Sequence, residues 1–159
     1  MTVVRHGFLG ALSPGHRERL VTFAHDVCFP GGTRIFDEDG VADRFWIIRS
    51  GIVALDVHVP GRREAVLETL GEGDLLGWSW LFEPYRWHLG AQARSTVSAS
   101  EFDAERVRAA CEKDPSFGLA LTNCVAQVIA RRLKSTRIRL LDLYGPLTPV
   151  SRDDGRNID

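Results

Sequence analysis

Apolar positions change their period twice along this chain. Near the start, Ser13 precedes Pro14, and Arg17, Leu20, Phe23 and Ala24 follow at spacings of three and four, which predicts a short helix capped by Ser13. From Val27 to about Phe102 the pattern is different. Short β-branched or aromatic runs (RFWIIRS, GIVALDVHV, EAVLETL, GAQARSTVSASEF) alternate with glycine-rich turns at PGG, EDG, RSG, VPGR and GEGD. Many short strands at close spacing predict an antiparallel sandwich or barrel. Beyond Phe102 the helical period returns. Asp103 is placed to cap AERVRAACEK, and Asp114 with Pro115 to cap a longer helix over about 115–144. In that helix Leu121, Val125, Ile129, Leu133, Ile138 and Leu141 recur at helical spacing until Gly145-Pro146 stops them. At about 1.5 Å per residue it reaches roughly 45 Å, longer than a small β-domain, so part of it needs another surface.

Composition narrows the function classes. A chain of 159 residues fits one domain with its own core, here residues 1–144, and the polar segment 145–159 reads as a disordered tail. The net charge of -1 supplies no general attraction to nucleic acid or anionic membranes. Cys28, Cys111 and Cys124 are odd in number and lack CxxC spacing, so they read as reduced, packed thiols. No apolar run has the length of a signal-peptide core or a membrane span, and a cytoplasmic protein is expected. The histidines His6, His16, His25, His58 and His88 are scattered, without a His-x-His pair, and no GxSxG elbow or Walker lysine is present. An enzyme is therefore not expected, nor a metal or bound cofactor.

The order short helix, β-strands, short helix, long helix, together with GTRIFDEDGVADRFWIIRSGIVAL and GEGDLLGWSWLF, resembles the cyclic-nucleotide-binding domain of the catabolite-activator and oxygen-sensor regulator family. The resemblance runs from Leu12 to Tyr144 and is carried by glycine-spaced strands, with Gly32, Gly40, Gly51, Gly73 and Gly77 at the turns. It implies a mainly β fold with flanking helices. That fold is a double-stranded β-helix, or jelly roll, with a short N-terminal helix and a C-terminal short helix plus long helix.

The resemblance also assigns a role to the stretch GDLLGWSWLFEPYRWH, which holds three of the chain's four tryptophans. In the family the segment starting at Gly77 is a phosphate-binding cassette, whose helix-start amides and an arginine grip a cyclic phosphate while a glutamate bonds the ribose. Here Trp78 replaces that glutamate, and Arg86-Trp87-His88-Leu89 replaces the arginine, serine or threonine, and alanine. Two readings stay open. In one, Gly77, Trp78 and Ser79 supply amides to an anionic, cyclic-nucleotide-like ligand. Arg86 clamps it, His88 adds a donor, and Trp78, Trp80 or Trp87 stacks on a base. In the other, the tryptophans fill the old cavity and Arg86 packs over a ring.

By the same resemblance the long helix pairs in parallel with a second copy, and Thr136 within ARRLKSTR faces the bound base. Thr136 alternatively bonds its own preceding turn. The basic run Arg131, Arg132, Lys134, Arg137 and Arg139 reads as a solvated helix face. Family transcription factors carry a helix-turn-helix after the long helix; only fifteen residues follow Tyr144 here, so sequence-specific DNA binding is not expected. The expectation is a non-catalytic, homodimeric sensor or regulatory protein with an unidentified protein partner. The alternative is a degenerate roll acting only as an interaction module.

Overall fold

The computed structural model describes residues 7–145. After a single 3-10 turn at Phe8–Ala11 comes helix α1, Pro14–Val21, with Ser13 Oγ accepting the His16 amide at 3.3 Å. The helix stops short of the predicted Phe23 and Ala24. The Thr22 hydroxyl closes the last turn on the Arg19 carbonyl, and Ala24 opens strand β1, Ala24–Phe29, by pairing with Phe102. A sheet partner distant in sequence thus overrides local helical spacing at these residues.

Seven further strands follow: β2 Arg34–Phe36, β3 Arg44–Ser50, β4 Val53–Val57, β5 Ala65–Leu70, β6 Leu75–Leu76, β7 Gly90–Ala93 and β8 Val97–Asp103. They form two antiparallel four-stranded sheets, ordered β1-β8-β3-β6 and β2-β7-β4-β5. This is the expected jelly roll. The run GAQARSTVSASEF, a single run in the sequence pattern, is two strands in opposite sheets. Its middle crosses between them while tied to Ile52, whose carbonyl takes the Arg94 amide at 2.8 Å and whose amide donates to Ser95 Oγ at 3.0 Å.

Strand alternation gives the core two aromatic layers. Phe45 lies between Trp80 and Phe102, with ring centroids 4.1 and 4.7 Å away. Its neighbour Trp46 turns to the opposite side and meets Phe36 and Trp87. Between β2 and β4, Arg34 makes a forked pair with the buried Asp56 at 2.5 and 2.8 Å, and this hydrogen bonding raises the arginine pKa further. Gly90 leaves the room for it, because a Cβ there would stand 2.0 Å from Arg34 Nη2 and 2.5 Å from Asp56 Oδ1. Gly90→Ala is therefore expected to cost about 1–3 kcal/mol by overpacking, read from urea unfolding. An unchanged midpoint would refute that reading of the pair.

Asp103 and Asp114 cap α2, Ala104–Lys113, and α3, Pro115–Leu143, each accepting a backbone amide from three residues on. Only the first half of α3 is covered. Phe117, Leu121, Cys124, Val125 and Val128 are buried, whereas Leu133, Ile138, Leu140, Leu141 and Leu143 are all exposed. Of the predicted tail only Gly145 falls within the described residues. Cys124 and Cys111 are packed, and burial pushes both thiols up; Cys28 corrects the expectation, since it faces solvent on an edge strand.

Candidate functional site

The tryptophan-rich stretch folds into three differently used pieces. Beyond β6 the chain passes Gly77, at φ 92, into a single 3-10 turn at Ser79–Leu81. One such turn carries far less dipole than the helix expected at this place. The segment then returns as a strap whose residues pair with the loop before β3: Ala42 bonds the Tyr85 carbonyl at 2.7 Å, and Trp87 exchanges bonds with Asp39 and Gly40 at 2.9 and 3.0 Å. An extended, paired strap points alternate side chains to opposite sides. Trp87 therefore enters the roll and Arg86 leaves it.

Trp87 is 4% exposed and stacks on Phe36 at 4.0 Å. Its ring lies so close to Gly77 that a Cβ there would be 2.7 Å from it. Trp80 is wholly buried, stacked on Phe45, with its indole N–H on the Gly77 carbonyl at 3.1 Å. Arg86 is exposed and donates to the Asp39 carbonyl at 2.7 Å, so it fastens the strap from outside. Arg108 of α2 holds the other end, bonding the Trp80 carbonyl at 2.6 Å and lying 4.1 Å from the centre of the Tyr85 ring.

Trp78, Ser79 and His88 form a separate group. The half-buried Trp78 stacks on the exposed His88 at 4.9 Å, and the buried Ser79 hydroxyl meets His88 Nδ1 at 2.9 Å. These three residues, with Gly77, Trp87 and Arg132, line a recess of about 30 Å³. That is room for about one water, whereas ligand pockets are usually about 300–1,000 Å³.

Arg132 was not legible as a site residue. It belongs to the basic run read as solvated, yet its side chain is only 15% exposed. It donates from Nη2 to the Leu75 carbonyl, and its Nε stands 3.9 Å from Glu68. Burial holds the guanidinium pKa below its ordinary value, and neighbouring Arg131 acts in the same direction. A signal existed: Leu121, Val125, Val128 and Arg132 follow each other at four, three and four residues, so Arg132 ends the covered face of α3. Thr136 lies elsewhere. Its hydroxyl bonds the Arg132 carbonyl at 2.9 Å, and it lines a groove of about 470 Å³ with Val66, Leu67, Leu140 and Leu143.

Among the described residues no cluster of three or more His, Cys, Asp or Glu could hold a metal, and no helix is long and apolar enough to cross a membrane. His25 instead joins Arg44 and the Trp46 indole on the buried Glu101, at 2.9, 3.2 and 2.8 Å.

Comparison with known proteins identifies the family and the fold. The sequence pattern of the cyclic nucleotide-binding domain matches residues 26–114. A CRP-like cAMP-activated global transcriptional regulator of Mycobacterium tuberculosis is 30% identical over 141 residues, which cover 89% of this chain. The chain spans only 61% of that relative's length. Among solved structures, a putative cyclic nucleotide-binding protein from Geobacter metallireducens superposes with a TM-score of 0.70 at 25% identity, over 79% of this chain and 91% of that one. A cyclic nucleotide-binding domain from Methylobacillus flagellatus gives a TM-score of 0.77 at 14% identity, over 89% and 83%. The chain therefore belongs to the cyclic nucleotide-binding domain family.

Proposed function

We propose that this chain is a non-catalytic regulatory module that senses a small anionic ligand of the cyclic-nucleotide type in its roll and dimerises through α3. The observation that carries the reading is the recess itself. A largely buried guanidinium, an imidazole, a hydroxyl and two tryptophans line one recess, next to a helix with an exposed apolar face. Cyclic AMP, cyclic GMP or a cyclic dinucleotide should bind below millimolar in calorimetric titration and change the tryptophan emission, because Trp78 is only half-buried. Discrimination between cyclic AMP and its 2′-deoxy analogue should stay within about tenfold. No carboxylate stands at Trp78 to be left unpaired by a missing hydroxyl.

One observation favours a second reading. The recess holds about 30 Å³, and Trp87 occupies the roll beside it, so a nucleotide needs Trp87 or Trp78 to move. If none of these ligands binds below millimolar, the roll is a closed dimerisation and interaction module.

A further inference from the structure

We infer that the strap of residues 82–88 is an autoinhibitory plug, in which Trp87 occupies the room a ligand needs and Arg108 of α2 is the latch that holds it shut. This rests on the ligand-sensing reading above. Trp87 is the one buried residue of the strap, and its ring lies flat on Phe36, with centroids 4.0 Å apart and planes 16° from parallel. An indole is comparable in size to a purine. Beside it the recess offers only about 30 Å³, so withdrawal of this one ring turns a water-sized space into one of ligand size. Apparent affinity is then reduced by the fraction of molecules whose strap is closed.

The ties that hold the strap can be undone. Each end of its pairing with residues 39–42 carries a strained residue: Asp39 at φ 62 and Tyr85 at φ 54 are the non-glycine residues with positive φ among the described residues. A tyrosine keeps that left-handed backbone only where its surroundings impose it. Each of the two is tied by an arginine. Arg86 bonds the Asp39 carbonyl at 2.7 Å from outside the roll, whereas Arg108 bonds the Trp80 carbonyl at 2.6 Å and places its guanidinium 4.1 Å from the centre of the Tyr85 ring. Only Arg108 comes from another element. Because α2 packs on both the 3-10 turn and α3, this arginine anchors the strap to the helices, and its loss frees Tyr85 to relax outward with Trp87 two residues away.

Calorimetric titration of the full chain with cyclic AMP and cyclic GMP, followed in parallel by stopped-flow tryptophan fluorescence, tests this. In the unaltered protein the observed association rate should level off as the concentration of the probe rises, since strap opening comes first. Arg108→Gln should raise that plateau and tighten binding of the better probe by about threefold or more, and Trp87→Leu, which fills less of the roll, by about tenfold or more. Should Trp87→Leu fail to fold by circular dichroism, Arg108→Gln decides alone. Unchanged or weaker binding in Arg108→Gln, where the unaltered protein binds, overturns the inference and leaves ligand sensing intact. Binding by either variant but not by the unaltered protein upholds the plug and removes sensing by the unaltered protein. Failure of all three proteins to bind either probe removes the ligand-sensing reading and this inference together.

Discussion

Leu133→Asp combined with Leu140→Asp is expected to convert the protein from a dimer to a monomer in light scattering at micromolar concentration. Ile129, Leu133, Thr136, Leu140 and Leu143 recur along α3 at spacings of four, three, four and three. That alternation has the spacing of a heptad seam, which would keep the apolar positions facing one partner helix. Within a single chain the seam is open: Leu133 is 52% exposed, Leu140 53% and Leu143 83%. Burying an unpaired aspartate in such a seam costs several kcal/mol per copy, enough to move a micromolar equilibrium fully to the monomer. Ile138→Asp is the internal control. Ile138 is equally apolar and 51% exposed, but it lies off the seam, and its substitution should leave the dimer in place. Because all these side chains already meet water in the protomer, circular dichroism should be unchanged in each variant. A monomeric unaltered protein, or a double aspartate variant that stays dimeric, would refute the seam.

Thr136 fits the same seam. A polar residue at one core position fixes the register of a pair at some cost in stability. Its bond to the Arg132 carbonyl already satisfies the hydroxyl within its own helix, so it can be buried between two helices without a new partner.

How much of this was legible differs by residue. Capping aspartates and Ser13 announce their helices because a short side-chain oxygen beside free amides acts locally, within three residues. The strand RFWIIRS was equally plain, since β3 is wholly defined by its own β-branched and aromatic run. Ala24 and the Gly90 to Phe102 run were misread for one reason: sheet membership is decided by partners distant in sequence, here β8 for Ala24 and Ile52 for the crossing. The cassette shows the same limit at the level of single side chains. Arg86 and Trp87 are adjacent, and only the pairing of the strap with residues 39–42 decides which of them enters the roll. Arg132 was hidden because the basic run has no internal mark separating the one arginine that ends the covered face from its solvated neighbours.

Trp87→Ala should then be strongly destabilising, at about 3–5 kcal/mol in urea unfolding. The ring is buried, stacked on Phe36 at 4.0 Å and pressed against Gly77, while its backbone bonds to Asp39 and Gly40 do not depend on the side chain. Substitution by alanine therefore removes packing and leaves the strap in place, with an apolar hole between Phe36, Trp46 and the recess. Apolar cavities of ring size in otherwise rigid cores bind small aromatic molecules. Indole at millimolar concentration should accordingly raise the melting temperature of Trp87→Ala and have no effect on the unaltered protein. Gly77→Ala separates the two consequences. Its Cβ would strike the same ring at 2.7 Å, at a positive φ that alanine tolerates poorly, so it should also destabilise the roll, yet it creates no hole and should show no indole rescue. A loss below about 1 kcal/mol in Trp87→Ala would mean that the ring is not what fills the roll. Absence of indole rescue in a folded variant would mean that the walls collapse, and that the recess cannot hold a ligand-sized opening.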